Sequence, residues 1–156
     1  SVVVAPDGKL LMWYVGKGRG IGARPTIGVA SSSDGTTWTR LGSEPVITVD
    51  PSSPELGCGD SAVGWDPSQS IYRMWCSSTT FGHDSTIRYA VSPNGLAWTI
   101  YSQGPALNSG PLGAFDARGV QEPAVVLGDE RVLLWFTGLD AKGTARIGYA
   151  ENRGLR

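Results

Sequence analysis

Two acidic residues occupy matched settings: Asp60 in "CGDSAVGW" and Glu122 in "VQEPAVV". In both, Ala-Val follows two places on and opens an apolar run. Carboxylates give and take protons in general acid–base chemistry, so two of them in equivalent settings form a candidate pair. The plainer alternative is that an acidic residue ahead of a strand bonds loop amides or an arginine. Asp116 and Arg118, in "FDARG", could hold ligand hydroxyls or pair with each other. Trp65 follows Asp60 on the same run and offers a ring face for stacking, against the alternative of a core tryptophan. Counted from the strand starts, its counterparts are Ala5 and Leu127, neither of them aromatic. His83, the only histidine, lies in "FGHDS" and reads as an exposed loop residue. No Cys/His cluster has the spacing of a metal site. No glycine-rich loop leads from a strand into a helix, so "GKGRGIG" reads as a flexible basic loop rather than a nucleotide site. The expectation is a site with neither metal nor cofactor.

The elements that position these residues repeat. "LLMWYVG", "YRMWCSS" and "LLWFTGL" share a tryptophan, at Trp13, Trp75 and Trp135. "IGVA", "IRYA" and "IGYA" begin at Ile27, Ile87 and Ile147, sixty residues apart, as are Trp38 and Trp98. Fixed self-similarity of this kind marks a repeat architecture. The second copy reads as four strands, Ser61–Trp65, Ile71–Ser78, Ser85–Ser92 and Ala97–Ser102, with turn residues between them. "PNG" before Leu96 predicts a tight turn in which Asn-Gly takes positive φ, and "SDG" at Ser33–Gly35 occupies the same place in the first copy. On the third strands Ile87, Tyr89 and Val91 share one face. The other face is mostly small, with Ala30, Ala90, Ala150, Gly28 and Gly148, Arg88 being the exception. Small faces let sheets stack closely.

Four-stranded units recurring about every 40–60 residues are blades of a β-propeller. The expected fold is all-β, with blades of four antiparallel strands near residues 1–48, 49–108 and 109–156, and a quasi-repetitive β-sandwich as the alternative. Aligned on the tryptophans, Val2 matches Ala124, and the third blade lacks a fourth strand. A ring needs roughly 4–8 blades, so the chain reads as part of a larger ring, completed by the remainder of the propeller or by partner chains.

The pattern "MWY…G…IGVASSSDGTTW", with "FDARGVQEPAVV" ahead of the third blade, resembles the five-bladed propellers of the arabinanase, levansucrase and invertase superfamily, glycoside hydrolase families 43, 32 and 68. The resemblance covers the whole chain. Sialidase-type boxes place one residue between Asp and Gly, whereas Asp34 and Gly35 are adjacent here. The resemblance implies carboxylates at the starts of the innermost strands: a base or nucleophile in the first blade, an orienting Asp in the second, a Glu acid in the third. Asp60 and Glu122 stand at the second and third of these positions; the first falls just before Ser1. In glycoside hydrolysis one carboxylic acid protonates the leaving oxygen and a second carboxylate activates water or attacks carbon. The surroundings "GDS" and "QEP" depart from the "RDP" and "EG" of active members. The implied partner is carbohydrate, and Trp65, Asp116 and Arg118 become substrate-binding candidates. A non-catalytic propeller serving as a scaffold in a larger assembly is the competing reading.

Composition bounds the rest. Thirteen basic and fourteen acidic residues leave a net charge of −1, which gives no electrostatic reason to expect nucleic acid as a partner. No apolar run approaches the roughly 18 residues of a spanning helix. Two cysteines are too few for a disulfide framework. Cys76, inside an apolar run, reads as a buried free thiol, with a Cys58–Cys76 bridge as the alternative.

Overall fold

The computed structural model describes residues 1–17, 24–48, 55–80 and 84–153. His83 and Gly18–Gly22 of the basic loop lie outside the described residues. The described residues form eleven strands and no helix. The first unit comprises β1 (Val2–Val4), β2 (Leu10–Lys17), β3 (Pro25–Ser32) and β4 (Thr39–Arg40). The second comprises β5 (Glu55–Asp66), β6 (Ile71–Thr80), β7 (Ser85–Ser92) and β8 (Thr99–Ile100). The third comprises β9 (Gly119–Leu127), β10 (Arg131–Leu139) and β11 (Ala145–Arg153). Within each unit successive strands pair antiparallel in chain order. The second and third units meet at one parallel pair, Ser85 with Gly119. These are β-propeller blades, and no helix among the described residues is long and apolar enough to cross a membrane.

The core lies between blades. Trp13, Ile27, Val29 and Ile47 of the first pack on Cys58, Tyr72, Met74, Cys76 and Ala90 of the second. Trp75 and Ile87, on the other side of the second blade, pack on Val120, Val132, Leu134 and Phe136 of the third. The tryptophan faces of the first and second blades thus cover the opposite face of the blade that follows. Trp13 also reaches across: its indole N–H donates to the carbonyl of Gly95 at 3.0 Å, and its ring meets Trp98 edge-on at 6.0 Å. The three tryptophans hold equivalent ladder positions, opposite Val29, Tyr89 and Tyr149. Their burial differs. Trp13 and Trp75 are 1% and 6% exposed, whereas Trp135 is 37% exposed on a face it shares with Tyr149 and Ile147.

The ladder corrects the first-strand alignment by one place. Ser1 and Trp13 exchange both backbone hydrogen bonds, so Ser1, not Val2, is the counterpart of Ala62 opposite Trp75 and Ala124 opposite Trp135. By the same register the counterpart of Trp65 is Val4 rather than Ala5, because Val4, Trp65 and Leu127 stand opposite Leu10, Tyr72 and Val132. An alignment on β2 tryptophans fixes β2, but the turn before it differs in length between copies.

Side-chain turns shorten the fourth strands. In the first blade Asp34 Oδ1 accepts the N–H groups of Thr36 and Thr37 at 2.8 and 2.7 Å, and Ser32 Oγ accepts that of Gly35. Asn94 Oδ1 does the same for Leu96 and Ala97 at 3.0 and 2.9 Å. Only the glycines take positive φ here, 74° at Gly35 and 75° at Gly95; Asn94 works through its carboxamide rather than a left-handed backbone. Because the Ala97 N–H is bound there, the fourth strand is Thr99–Ile100 and not Ala97–Ser102.

Cys58 and Cys76 are joined in a disulfide, which corrects the free-thiol reading. Cys58 and Cys76 lie on paired strands, β5 and β6, with Cα atoms 5.7 Å apart, a distance that suits a bridge. Two cysteines can staple one ladder even though they cannot make a framework.

Candidate functional site

An innermost strand offers its neighbour a continuous ladder unless a residue is added. Both β5 and β9 carry such an addition. Between the pairs Cys58–Ser78 and Ser61–Cys76, the two residues Gly59 and Asp60 face Ser77 alone. Between Gln121–Thr137 and Ala124–Trp135, Glu122 and Pro123 face Phe136 alone. These are β-bulges, which re-aim a side chain at the cost of ladder hydrogen bonds. Pro123 has no N–H to give, and a bulge is where an inner strand tolerates that. Glu122 has φ of 52°, in the left-handed region that non-glycine residues seldom adopt.

Asp60 and Glu122 both project from bulges two residues before the alanine opposite the blade tryptophan. A single hydroxyl connects the bulges. Ser77 Oγ accepts the Glu122 N–H at 2.9 Å and donates to the Asp60 carbonyl at 3.5 Å. Thr137 Oγ1 donates to Glu122 Oε2 at 2.7 Å. Both carboxylates are exposed. Among the described residues neither is bonded to an arginine or to a backbone amide. A recess of about 240 Å³ opens beside Asp60, lined by Val15 of the first blade, Gly59, Asp60, Ser77 and Ser85 of the second, and Gln121 of the third. Three blades therefore contribute to one concavity. No group of three metal-ligating side chains occurs among the described residues.

The other candidates are placed differently. Arg118 is exposed in the turn just before β9, its N–H bonded to the Leu139 carbonyl at 2.8 Å, four residues before Glu122. Asp116 is half-buried in the loop before it. Its carbonyl accepts the N–H groups of Gly110 and Gly119, at 3.2 and 3.1 Å. Asp116 and Arg118 form no ion pair with each other. Trp65 lies five residues beyond Asp60, roughly 16 Å along an extended strand. It packs on Tyr72 with ring centroids 4.7 Å apart and borders a separate recess with Asp7 and Lys9. Ser77 thus bonds the backbones of both bulges, Thr137 bonds the Glu122 carboxylate, and Trp65 stands further along β5, away from the bulge. The two hydroxyl residues went unremarked in the sequence. Their signal is a hydroxyl two places after Trp75 and Trp135, where the first blade has Val15.

No family model matches the chain, and no curated protein sequence matches it. Solved structures do. A glycoside hydrolase superposes with a TM-score of 0.79 at 19% identity, over 99% of this chain and 45% of that one. An N-acetylgalactosamine deacetylase from F. plautii, in complex with blood group B trisaccharide, gives 0.75 at 17% identity, over 98% and 49%. The Bombyx mori GH32 β-fructofuranosidase gives 0.75 at 15% identity, over 98% and 33%. The similar structures include five-bladed propeller glycoside hydrolases of families 43 and 32, and at these identities the likeness establishes the fold. The chain spans half or less of the length of these three structures.

Proposed function

We propose that the chain is the carboxylate-bearing part of a five-bladed propeller that binds and hydrolyses carbohydrate. One observation carries this reading. Two adjacent blades spend ladder hydrogen bonds on bulges that carry exposed carboxylates, Asp60 lining an open recess and Glu122 bonded through its backbone to the Ser77 that borders it, and among the described residues neither carboxylate is bonded to an arginine or to a backbone amide. In the proposed reaction Glu122 gives its proton to the leaving glycosidic oxygen as the bond to the anomeric carbon breaks, and water adds to that carbon, losing its proton to a carboxylate base. Following the family resemblance, Asp60 orients the acid and the base comes from the first blade. By the corrected register that place lies two residues upstream of Ser1. Arg118, exposed four residues before Glu122, is assigned to substrate hydroxyls, and Asp116 shapes the loop that presents it. Trp65 would stack only with a ligand approaching from the far end of β5.

The outer sheet faces belong to the same reading. Val2 and Val4 on the first blade are 52% and 61% exposed, and Ile147 and Tyr149 on the third are 73% and 52% exposed. Such faces are covered within the chain wherever a blade adjoins, so further blades are proposed to cover them. They also support the second reading, a scaffold whose outer faces bind partner proteins. Turnover of furanosides with unactivated alcohol leaving groups, such as methyl furanosides and furanosyl oligosaccharides, by the intact gene product, compared with its Glu122→Gln variant, separates the two. The amide keeps the shape and cannot donate the proton, so a hydrolase loses at least about a hundredfold in kcat. A substrate turned over equally well by Glu122→Gln removes Glu122 as the acid.

A further inference from the structure

We propose that Ser77 is the positioning residue for both carboxylate bulges, with Thr137 aiming the head of Glu122. This rests on the reading of Asp60 and Glu122 as the sugar-facing pair. A bulge leaves backbone groups without ladder partners, and such groups need others. Ser77 supplies them on both sides. Its oxygen accepts the Glu122 N–H from the neighbouring blade at 2.9 Å, and its proton points to the Asp60 carbonyl of its own blade at the longer distance of 3.5 Å. Because the first bond crosses between blades, it ties the height of Glu122 to that of Asp60. The φ of 52° at Glu122 fits the same account, since a side-chain-bearing residue stays in that region only where its surroundings hold it there. Thr137, at the equivalent β10 position, then pins Oε2 at 2.7 Å.

The test uses four variants of the intact gene product: Ser77→Ala, Ser77→Thr, Thr137→Val and Thr137→Ser. Two NMR readouts do not depend on turnover, namely hydrogen exchange at the Glu122 amide and the ¹³C shift of its side-chain carboxyl. Ser77→Ala is expected to speed Glu122 exchange about fivefold, the effect of losing one hydrogen bond, without altering the amides of Val125–Leu127. Ser77→Thr, which keeps the hydroxyl, restores the native rate. Thr137→Val shifts the Glu122 carboxyl resonance and Thr137→Ser returns it. On a furanosyl oligosaccharide that the native protein hydrolyses, Ser77→Ala lowers kcat about tenfold with KM unchanged, as expected when an acid is misplaced and binding is not. Unchanged Glu122 exchange in Ser77→Ala, or failure of Ser77→Thr to restore it, overturns the assignment of Ser77. An unmoved carboxyl resonance in Thr137→Val overturns that of Thr137. If the resonances respond as expected while the native protein turns over no glycoside, the positioning roles stand and the hydrolase reading falls.

Discussion

Cys76 stands directly opposite Arg88 in the ladder between β6 and β7, where the first blade pairs Tyr14 with Gly28 and the third pairs Phe136 with Gly148. The exception on the small face of the third strands thus has a physical reason. In the outer blades an aromatic ring lies across the ladder, and the residue under it must be glycine. A Cβ at Gly28 would come 2.6 Å from the Tyr14 ring, and one at Gly148 2.3 Å from that of Phe136. In the second blade the ring is replaced by a cysteine bonded to Cys58, so no ring lies across the ladder and the residue opposite need not be glycine.

Gly148→Ala is therefore expected to destabilise the protein by about 1–3 kcal/mol, the usual range for an overpacked site. Phe136 is buried against Trp75 and Val132, so its ring has little room to yield. Urea unfolding of Gly148→Ala, Phe136→Leu and the double variant measures the coupling. The double variant should lose clearly less than the two single losses added together. Strict additivity would show that the ring and the glycine do not constrain each other.

The period, the strand order and the blade type were legible in the sequence because tryptophan, the Ile-x-x-Ala strands and the Gly turns recur. What was not legible depends on pairing. The Cys58–Cys76 bridge depends on which residues of β5 and β6 face each other, and a bulge at Gly59–Asp60 shifts that pairing by one. The counterparts of Ser1 and Val4 were displaced by one place because residue counting passes over the length of the turn before β2. Ser77 and Thr137 were hidden for a related reason: a hydroxyl after a strand tryptophan has no meaning until a neighbouring bulge presents an N–H or carboxylate to it. Asp60 and Glu122 were visible because their settings repeat.

The disulfide closes a loop with a sequence separation of 18, and constraint of the unfolded chain by such a loop contributes about 3 kcal/mol. Reduction, or the Cys58→Ala/Cys76→Ala pair, should lower the urea midpoint accordingly. Thiol titration after denaturation without reductant should find no free thiol. Two free thiols in the native, air-handled protein would refute the bridge.

Acid stability should separate the first two blade turns. The N–H groups of Thr37 and Thr36 and the hydroxyl of Ser32 hold the Asp34 carboxyl well below the usual carboxylate range. Its folded pKa is below its unfolded one, so its contribution is present above about pH 4 and is lost as pH falls through that region. Asn94 makes the same bonds with a group that does not titrate. Asp34→Asn is therefore expected to keep the turn and to flatten the acid limb of stability between about pH 2 and 5. Asp140, held low by Arg146 and by the amides of Thr144 and Lys142, titrates in both proteins and cancels in the difference. Identical acid limbs for native and variant would show that the Asp34 bonds do not persist in solution.

The last prediction concerns the backbone of Glu122. A glutamate at φ of 52° sits where the side chain crowds the following carbonyl, a cost of roughly 1–2 kcal/mol that glycine does not incur. Replacing a residue that is exposed and only lightly bonded would ordinarily leave stability unchanged or lower it. Here Glu122→Gly removes the Thr137 bond to the carboxylate but keeps the Ser77 bond to the backbone N–H. Relief of the strained conformation opposes the lost bond and the greater freedom of glycine in the unfolded chain. The net expectation is a variant within about 0.5 kcal/mol of native stability or above it, with no glycoside turnover. Glu122→Ala separates the two contributions, since it loses the same carboxylate and keeps the strain. It should be less stable than Glu122→Gly by about 1 kcal/mol. That ordering, read from urea midpoints of the three proteins, would mark Glu122 as a residue held against its conformational preference for the sake of where its carboxyl points. The reverse ordering, Ala above Gly, would mean that the bulge relaxes in solution and that the recess beside Asp60 is not held ready for a ligand.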